Sequence, residues 1–167
     1  MSRRHPNVVN RDEVDPWTPP VAPPPPFGAE TRRLGAAAGS KALGANLFRV
    51  KAGETAVPMH AHHANEEAIY VLEGHGTLRL GTERVEVRPG DWIAMPPGPE
   101  HAHQLLADRG EELLYLCIST MLNVEVVTYP DSNKVLAAAG GAQGGLRMIF
   151  RQSDGGVPYF EGEGTQR

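Results

Sequence analysis

Cysteine is nearly absent: Cys117 is the only one in 167 residues, so no intrachain disulfide can form. It lies in the apolar run 113–118, where a free cysteine reads as a small buried hydrophobe rather than a reactive thiol. At six residues that is also the longest unbroken apolar run, far short of a membrane span. Charge of one sign is missing too. Sixteen Lys plus Arg against 20 Asp plus Glu leave a net charge of −4, which gives no reason to expect nucleic acid or an anionic membrane as partner. Residues 1–15 are polar and charged and carry no apolar stretch like that of a signal peptide, so the expected location is the cytoplasm. The length suits one domain, and aliphatic residues are plentiful enough for a core.

Proline and glycine are abundant, at 15 and 19 residues, and they punctuate the chain. Residues 1–28 hold Pro19-Pro20 and the run 23–26, which can enter neither a helix nor a central strand and favours extended geometry. This segment is expected to be an arm lying over the body of the protein or on a partner subunit, or else a disordered tail. From residue 43 onward, short apolar segments alternate with turns. Strands are predicted at 43–51, 67–72, 77–80, 84–88, 91–95, 101–106, 113–119 and 124–128, the close spacing of an all-β sandwich or barrel. In Arg88-Pro89-Gly90-Asp91, Pro and Gly occupy the two central positions that a type II turn requires. The small-residue stretch 137–145 is read as a flexible connection to a last strand near 146–151 and a short tail, 159–163. The expected organisation is therefore an arm (1–28), one barrel domain (29–135) and a C-terminal extension (136–167) packing on the barrel or on a partner.

Histidines fall in two groups, His60-Ala61-His62-His63 followed by Glu66 and Glu67, and His101-Ala102-His103. Pro58 disfavours helix just before the first group. In an extended chain side chains two apart share a face, so His60 and His62 converge while His63 points away. In a helix the same pair would diverge by roughly 200°. Neutral imidazoles with one carboxylate suit Fe, Mn, Ni or Zn and offer too few oxygens for calcium. Of the two glutamates only one can face inward, and counting back from the hairpin at Gly74 selects Glu67; Glu66 is then solvated or supporting. His75, between glycines, and His5, in the arm, are expected to be exposed. Tyr70, Trp92, Met59, Met95 and Tyr115 are read as barrel core or subunit interface, with both faces of 67–72 looking buried.

The wider pattern resembles a known family. Gly53, His60-x-His62, Glu67 and Gly74 resemble the first cupin motif, although the interval from Gly53 to His60 is one residue longer than usual. Gly90, Pro96-Pro97-Gly98 and His101 resemble the second, fifteen residues further on, but Leu105 and Ala107 stand where its closing asparagine would be. Tyr70-Val71-Leu72-Glu73-Gly74, Pro89-Gly90-Asp91, His103-Gln104-Leu105 and Tyr129-Pro130-Asp131-Ser132 resemble small, functionally uncharacterised bacterial cupins. The resemblance implies an all-β cupin double-stranded β-helix, a jelly-roll-like antiparallel barrel. It also implies one divalent metal ion on His60, His62, Glu67 and one histidine of the second group. Spacing from Gly98 selects His101 for that place, whereas the downstream register, with Gly110 seven residues after His103, favours His103. His103 is preferred, His101 being the alternative, with a role at the entrance or in hydrogen-bonding a ligand. The activities implied are a metal-dependent enzyme on a small organic molecule, of dioxygenase, isomerase or lyase type. The alternatives are a non-catalytic binder of a small or sugar-like ligand and a metal-free structural cupin. No catalytic residue is assigned, and a homodimer is expected.

Overall fold

Glycine and proline turns cut this chain into strands too short to stand alone, and their alternating apolar residues require a second layer. A computed structural model of the chain describes residues 5–140, 145–152 and 155–162. Each predicted segment overlaps a strand. The strands are β1 (Ala29–Arg32), β2 (Leu43–Val50), β3 (Ala61–His62), β4 (Glu67–Glu73), β5 (Gly76–Leu80), β6 (Glu83–Val87), β7 (Trp92–Met95), β8 (His103–Ala107), β9 (Leu113–Thr120), β10 (Val124–Tyr129), β11 (Lys134–Ala139) and β12 (Leu146–Arg151). One short helix, α1 (Leu34–Ala37), follows β1. The strands form three antiparallel sheets in the orders β1-β2-β9-β4-β7, β12-β11-β10-β3 and β6-β5-β8. This is the all-β cupin barrel. No helix among the described residues is long and apolar enough to cross a membrane.

The core lies between the five- and three-stranded sheets. Ile69 and Val71 of β4, Leu78 of β5, Leu105 of β8 and Leu113, Tyr115 and Cys117 of β9 are buried together there. Strand alternation decides this: Ile69 and Val71 point in, whereas Tyr70 pairs across β4–β7 with Trp92 and both are exposed. Only one face of β4 is buried, which corrects the reading of both faces as covered and removes Tyr70 and Trp92 from the core. Met59, Met95 and Tyr115 are buried. The turns follow their chemistry. Gly90 has φ 96° and the Asp91 N–H donates to Arg88 O at 3.1 Å. At Gly74, with φ 79°, a Cβ would sit 2.0 Å from the Glu112 carbonyl oxygen, so only glycine fits.

The proline-rich arm lies on its own barrel, alongside β1. The Trp17 N–H donates to Thr31 O at 2.7 Å, and Arg32 Nη1 donates to Val14 O at 2.7 Å. The Gly28 N–H donates to Thr55 O at 2.9 Å and the Thr55 N–H to Pro26 O at 3.1 Å. At the other end, the boundary placed between residues 135 and 136 falls inside β11. Ala137, Ala138 and Ala139 are not a loose connection but pair on both sides, with β10 and β12. Residues 141–144 of that stretch and residue 163 of the tail lie outside the described residues. Tyr159 and Phe160 are exposed, their rings edge-on to each other.

Candidate metal centre

The first histidine pair owes its geometry to backbone pairing on both sides of a two-residue strand. The His60 N–H donates to His103 O at 3.1 Å and the His103 N–H donates to His60 O at 2.8 Å. This reciprocal pair sets the two residues directly opposite each other, with ring centroids 4.5 Å apart. On its other side β3 pairs with β10 at Val127 and Thr128. The Gly98 N–H, from the Pro96-Pro97-Gly98-Pro99 loop, donates to His62 O at 2.8 Å. The segment is thus extended, and His60 and His62 share a face while Met59 and Ala61 pack against Ala102 on the other.

Glu67, the first residue of β4, is the point of convergence. Its Oε2 lies 3.9 Å from His60 Nε2, 3.4 Å from His62 Nε2 and 3.3 Å from His103 Nε2. The ligand atoms of His60, His62 and Glu67 all lie within 4.8 Å of one another, and His103 joins them through Glu67. The other carboxylate oxygen accepts from the Cys117 thiol at 3.7 Å.

Each imidazole is held by its far nitrogen. His60 Nδ1–H donates to Pro58 O at 2.9 Å, and His103 Nδ1–H donates to His101 O at 3.0 Å. A carbonyl only accepts, so both rings carry a proton on Nδ1 and turn Nε2 toward Glu67. His62 Nδ1–H donates to Glu125 Oε2 at 3.2 Å. Glu125 is itself fixed, accepting from the backbone N–H groups of His63 (3.2 Å), Ala64 (3.1 Å) and Asn65 (2.9 Å) and from the Asn65 side chain. Carbonyl or carboxylate partners on the outer nitrogen are what orient histidine ligands and raise their basicity.

Electrostatics in the cluster follow from burial and mutual proximity. Burial, and after it the neighbouring His103, pull His60 down to about 4. Burial also disfavours charge on His62, but the Glu67 and Glu125 carboxylates outweigh it and hold His62 above its ordinary value. Burial works against the Glu67 carboxylate too, yet hydrogen bonds from His103 and His62 keep it well below the usual carboxylate range. Burial first, then Glu67, pushes the Cys117 thiol up, so it stays protonated.

The remaining candidates lie apart. His101 ends a 3-10 turn (Pro99–His101) rather than lying in β8, and only its backbone carbonyl reaches the cluster, through His103. The strand predicted at 101–106 therefore starts two residues later, at His103. Glu66 is exposed, its N–H donating to Thr120 Oγ1 at 3.0 Å. His63 is exposed with Nε2 3.0 Å from Thr128 Oγ1, His75 is exposed beside Glu111, and His5 is exposed in the arm.

Sequence reasoning missed Glu125 and Tyr129. Glu125 is a lone acid among Val124, Val126 and Val127, and an acid sharing strand parity with a buried valine was the available signal. Tyr129 stacks on His60 with ring centroids 6.2 Å apart, half-buried at the edge of the site. A cavity of about 840 Å³ lies elsewhere, near His75, Val85 and Trp92, and contains none of the four converging residues.

Comparison with known proteins agrees with this architecture. The cupin-domain family model matches residues 46–119. A structure of a candidate sugar phosphate isomerase from Acidithiobacillus ferrooxidans is 30% identical, over 78% of this chain and 80% of that one, with a TM-score of 0.69. A cupin-superfamily sugar phosphate isomerase from Silicibacter pomeroyi is 24% identical over 91% of this chain and 97% of that one; its TM-score of 0.76 shows the shared fold. An uncharacterised protein of Methanocaldococcus jannaschii is 44% identical over 43 residues; the match takes in 26% of this chain and 34% of that protein, about a third of its length. The chain belongs to the cupin superfamily.

Proposed function

We propose that this protein is a divalent-metal-dependent enzyme acting on a small molecule with adjacent oxygens, of the sugar-isomerase type. The carrying observation is the convergence of three imidazole Nε2 atoms on one half-buried carboxylate, each imidazole held by its Nδ1. That donor set fits Fe, Mn, Ni or Zn. His60, His62, Glu67 and His103 would hold the ion, which when bound polarises a carbonyl or hydroxyl as a Lewis acid. Among dioxygenase, isomerase and lyase chemistry, the 30% identity to a candidate sugar phosphate isomerase favours the second. Around the donors the chain supplies orientation rather than a nucleophile, since the Cys117 thiol stays protonated. Burial raises the Tyr129 phenol above its ordinary value, Arg147 acting the other way, so Tyr129 offers a neutral O–H at the rim of the site.

The test is elemental analysis of protein purified without an affinity tag, followed by assays for aldose–ketose interconversion on a panel of sugar phosphates. Near-stoichiometric metal with turnover is the expected result. Metal without turnover on any member of the panel would favour a binding module. Absence of metal after anaerobic incubation with Fe, Mn, Ni and Zn salts would overturn the reading.

We further propose that two copies pair through the outer face of β10–β11–β12. The register aligns Val126 with Ala137 and Ala137 with Met148, and Val124 with Ala139 and Ala139 with Leu146. This continuous apolar patch leaves Val124, Val126, Leu146 and Met148 exposed on one chain. An identical patch on a twofold-related copy is self-complementary. Light scattering should give the mass of two chains, falling to one in Met148→Glu; a single-chain mass for the parent protein would refute it.

A further inference from the structure

The proline-rich arm encloses space as well as covering an edge. A cavity of about 240 Å³ lies between the arm, which contributes Trp17 and Pro23, and β1–β2, with Arg33, Asn46, Phe48 and Val57 on its walls. The Arg33 guanidinium sits over the Trp17 indole, 3.9 Å from the ring centroid. The Trp17 main chain is in turn tied down, its backbone N–H donating to Thr31 O. Arg32, Arg49 and Arg79 each face a carboxylate, at Glu30, Glu112 and Asp131. Among the described residues no carboxylate pairs with Arg33. An unpaired guanidinium held on an aromatic plate presents its N–H fork to an incoming oxyanion at reduced entropic cost.

This cavity and the histidine cluster lie along one line of the five-stranded sheet. Arg32 pairs with Leu47, so Arg33 comes level with Asn46. Asn46 pairs with Cys117, whose thiol donates to Glu67. Beside that line Phe48 stacks on Tyr115, ring centroids 5.1 Å apart. From β1 to β4 is three strand spacings, about 14 Å. An extended arginine side chain and a small ligand together cover that gap.

We propose that the cavity is an oxyanion subsite. Arg33, held on Trp17, binds the terminal phosphate or carboxylate of the molecule whose other end reaches the histidine cluster. The link to the cluster rests on the metal-site reading above; the anion subsite itself does not. The arm then contributes to binding. Its prolines keep it extended beside β1 and deliver Trp17 to the cavity.

The sequence holds two tryptophans, so Trp92→Phe, at an exposed position, leaves Trp17 as the reporter. Titrating that variant with glycerol phosphate in one series and succinate in the other should give a saturable change in fluorescence in at least one. The saturating series identifies phosphate or carboxylate as the group taken. Adding Arg33→Gln should weaken that response on the order of tenfold or more. Adding His62→Ala, with metal content measured on the same sample, should leave it unchanged. If neither probe saturates, or if Arg33→Gln binds as tightly as its parent, the subsite is refuted. If the probe response depends on Arg33 but the protein takes up no metal, the subsite stands and the metal reading fails.

Discussion

The pattern His-Ala-His occurs twice in this chain, and the two copies fold differently. His60-Ala61-His62 runs extended between β8 and β10, and both rings face Glu67. His101-Ala102-His103 begins in a 3-10 turn started by Pro99, and only His103 has entered β8. In the first copy side-chain alternation acts over the whole pattern. In the second the turn ends at His101, and Ala102, at φ −54° and ψ 129°, begins the extended course. The second copy still supplies two groups, one of them from the backbone: the His101 carbonyl accepts the Nδ1–H of His103. Identical local sequence therefore gives a two-ligand pair in one place and a ligand with its own positioning carbonyl in the other.

The largest effects should separate the four converging residues from everything else. His62→Ala and His103→Ala should each lower divalent-metal affinity by orders of magnitude, read by calorimetric titration and by metal content after dialysis. Retention of stoichiometric metal in either would remove that residue from the donor set. Next comes the device that orients His62. Glu125→Gln keeps the shape but removes the charge facing Nδ1, and should weaken metal binding by about 10- to 100-fold. Glu125→Ala should in addition destabilise the fold by about 1–3 kcal/mol, because the N–H groups of His63, Ala64 and Asn65 lose their acceptor. Urea denaturation of the metal-free protein checks the second point independently of the first.

Acid should distinguish His60 from His62 within the first copy. His60, lowered to about 4, is already neutral across the neutral range. His62 is raised, burial being outweighed by Glu67 and Glu125, so it is the imidazole that must give up a proton to a metal. Metal affinity should fall as pH drops below the raised value of His62, by about tenfold for each pH unit while one proton is displaced. In the metal-free protein the sign reverses. The His62–carboxylate interactions contribute stability in full below the ordinary histidine value and lose it as pH rises through the raised one. Titrations across pH in parent and Glu125→Gln should show the midpoint moving down in the variant. An unmoved midpoint would contradict the assignment to His62.

Much of this was legible in the sequence, for reasons that differ by residue. β4, β5, β6 and β7 were readable because Gly74, Gly81 and Pro89-Gly90 mark their ends and fix which side chains alternate inward. Glu67 followed from counting back along β4, and His60 and His62 from two-residue alternation. β3 was not legible as a strand because its pairing comes from β10, more than sixty residues away. Residues 137–139 of β11 read as part of a flexible stretch because alanines carry little strand preference of their own; their structure comes from β10 and β12 on either side. Glu125 was hidden for a related reason. Its meaning depends on β10 lying against β3, and no local pattern reports that. Pro96-Pro97-Gly98 was legible as part of the second motif, but not that the turn after it would carry His101 out of the strand.

The smallest effects test the second copy itself. Gly98 has φ 140° and ψ 150°, a region open essentially to glycine alone. A Cβ there would meet the Glu100 carboxylate, the movable end of a long side chain, so the cost of Gly98→Ala is chiefly backbone strain. It should amount to about 1–3 kcal/mol by urea denaturation. His101→Ala should do least of all. Its ring finds no hydrogen-bond partner for Nδ1 among the described residues, and the exposed Glu100 carboxylate is 3.7 Å away. What holds His103 is the carbonyl of residue 101, which alanine also carries. Metal affinity in His101→Ala should therefore stay within about threefold of the parent, the range of an ordinary surface substitution. If it fell as far as in His103→Ala, the ring rather than the carbonyl would be the working group, and the contrast between the two copies would collapse into two equivalent pairs.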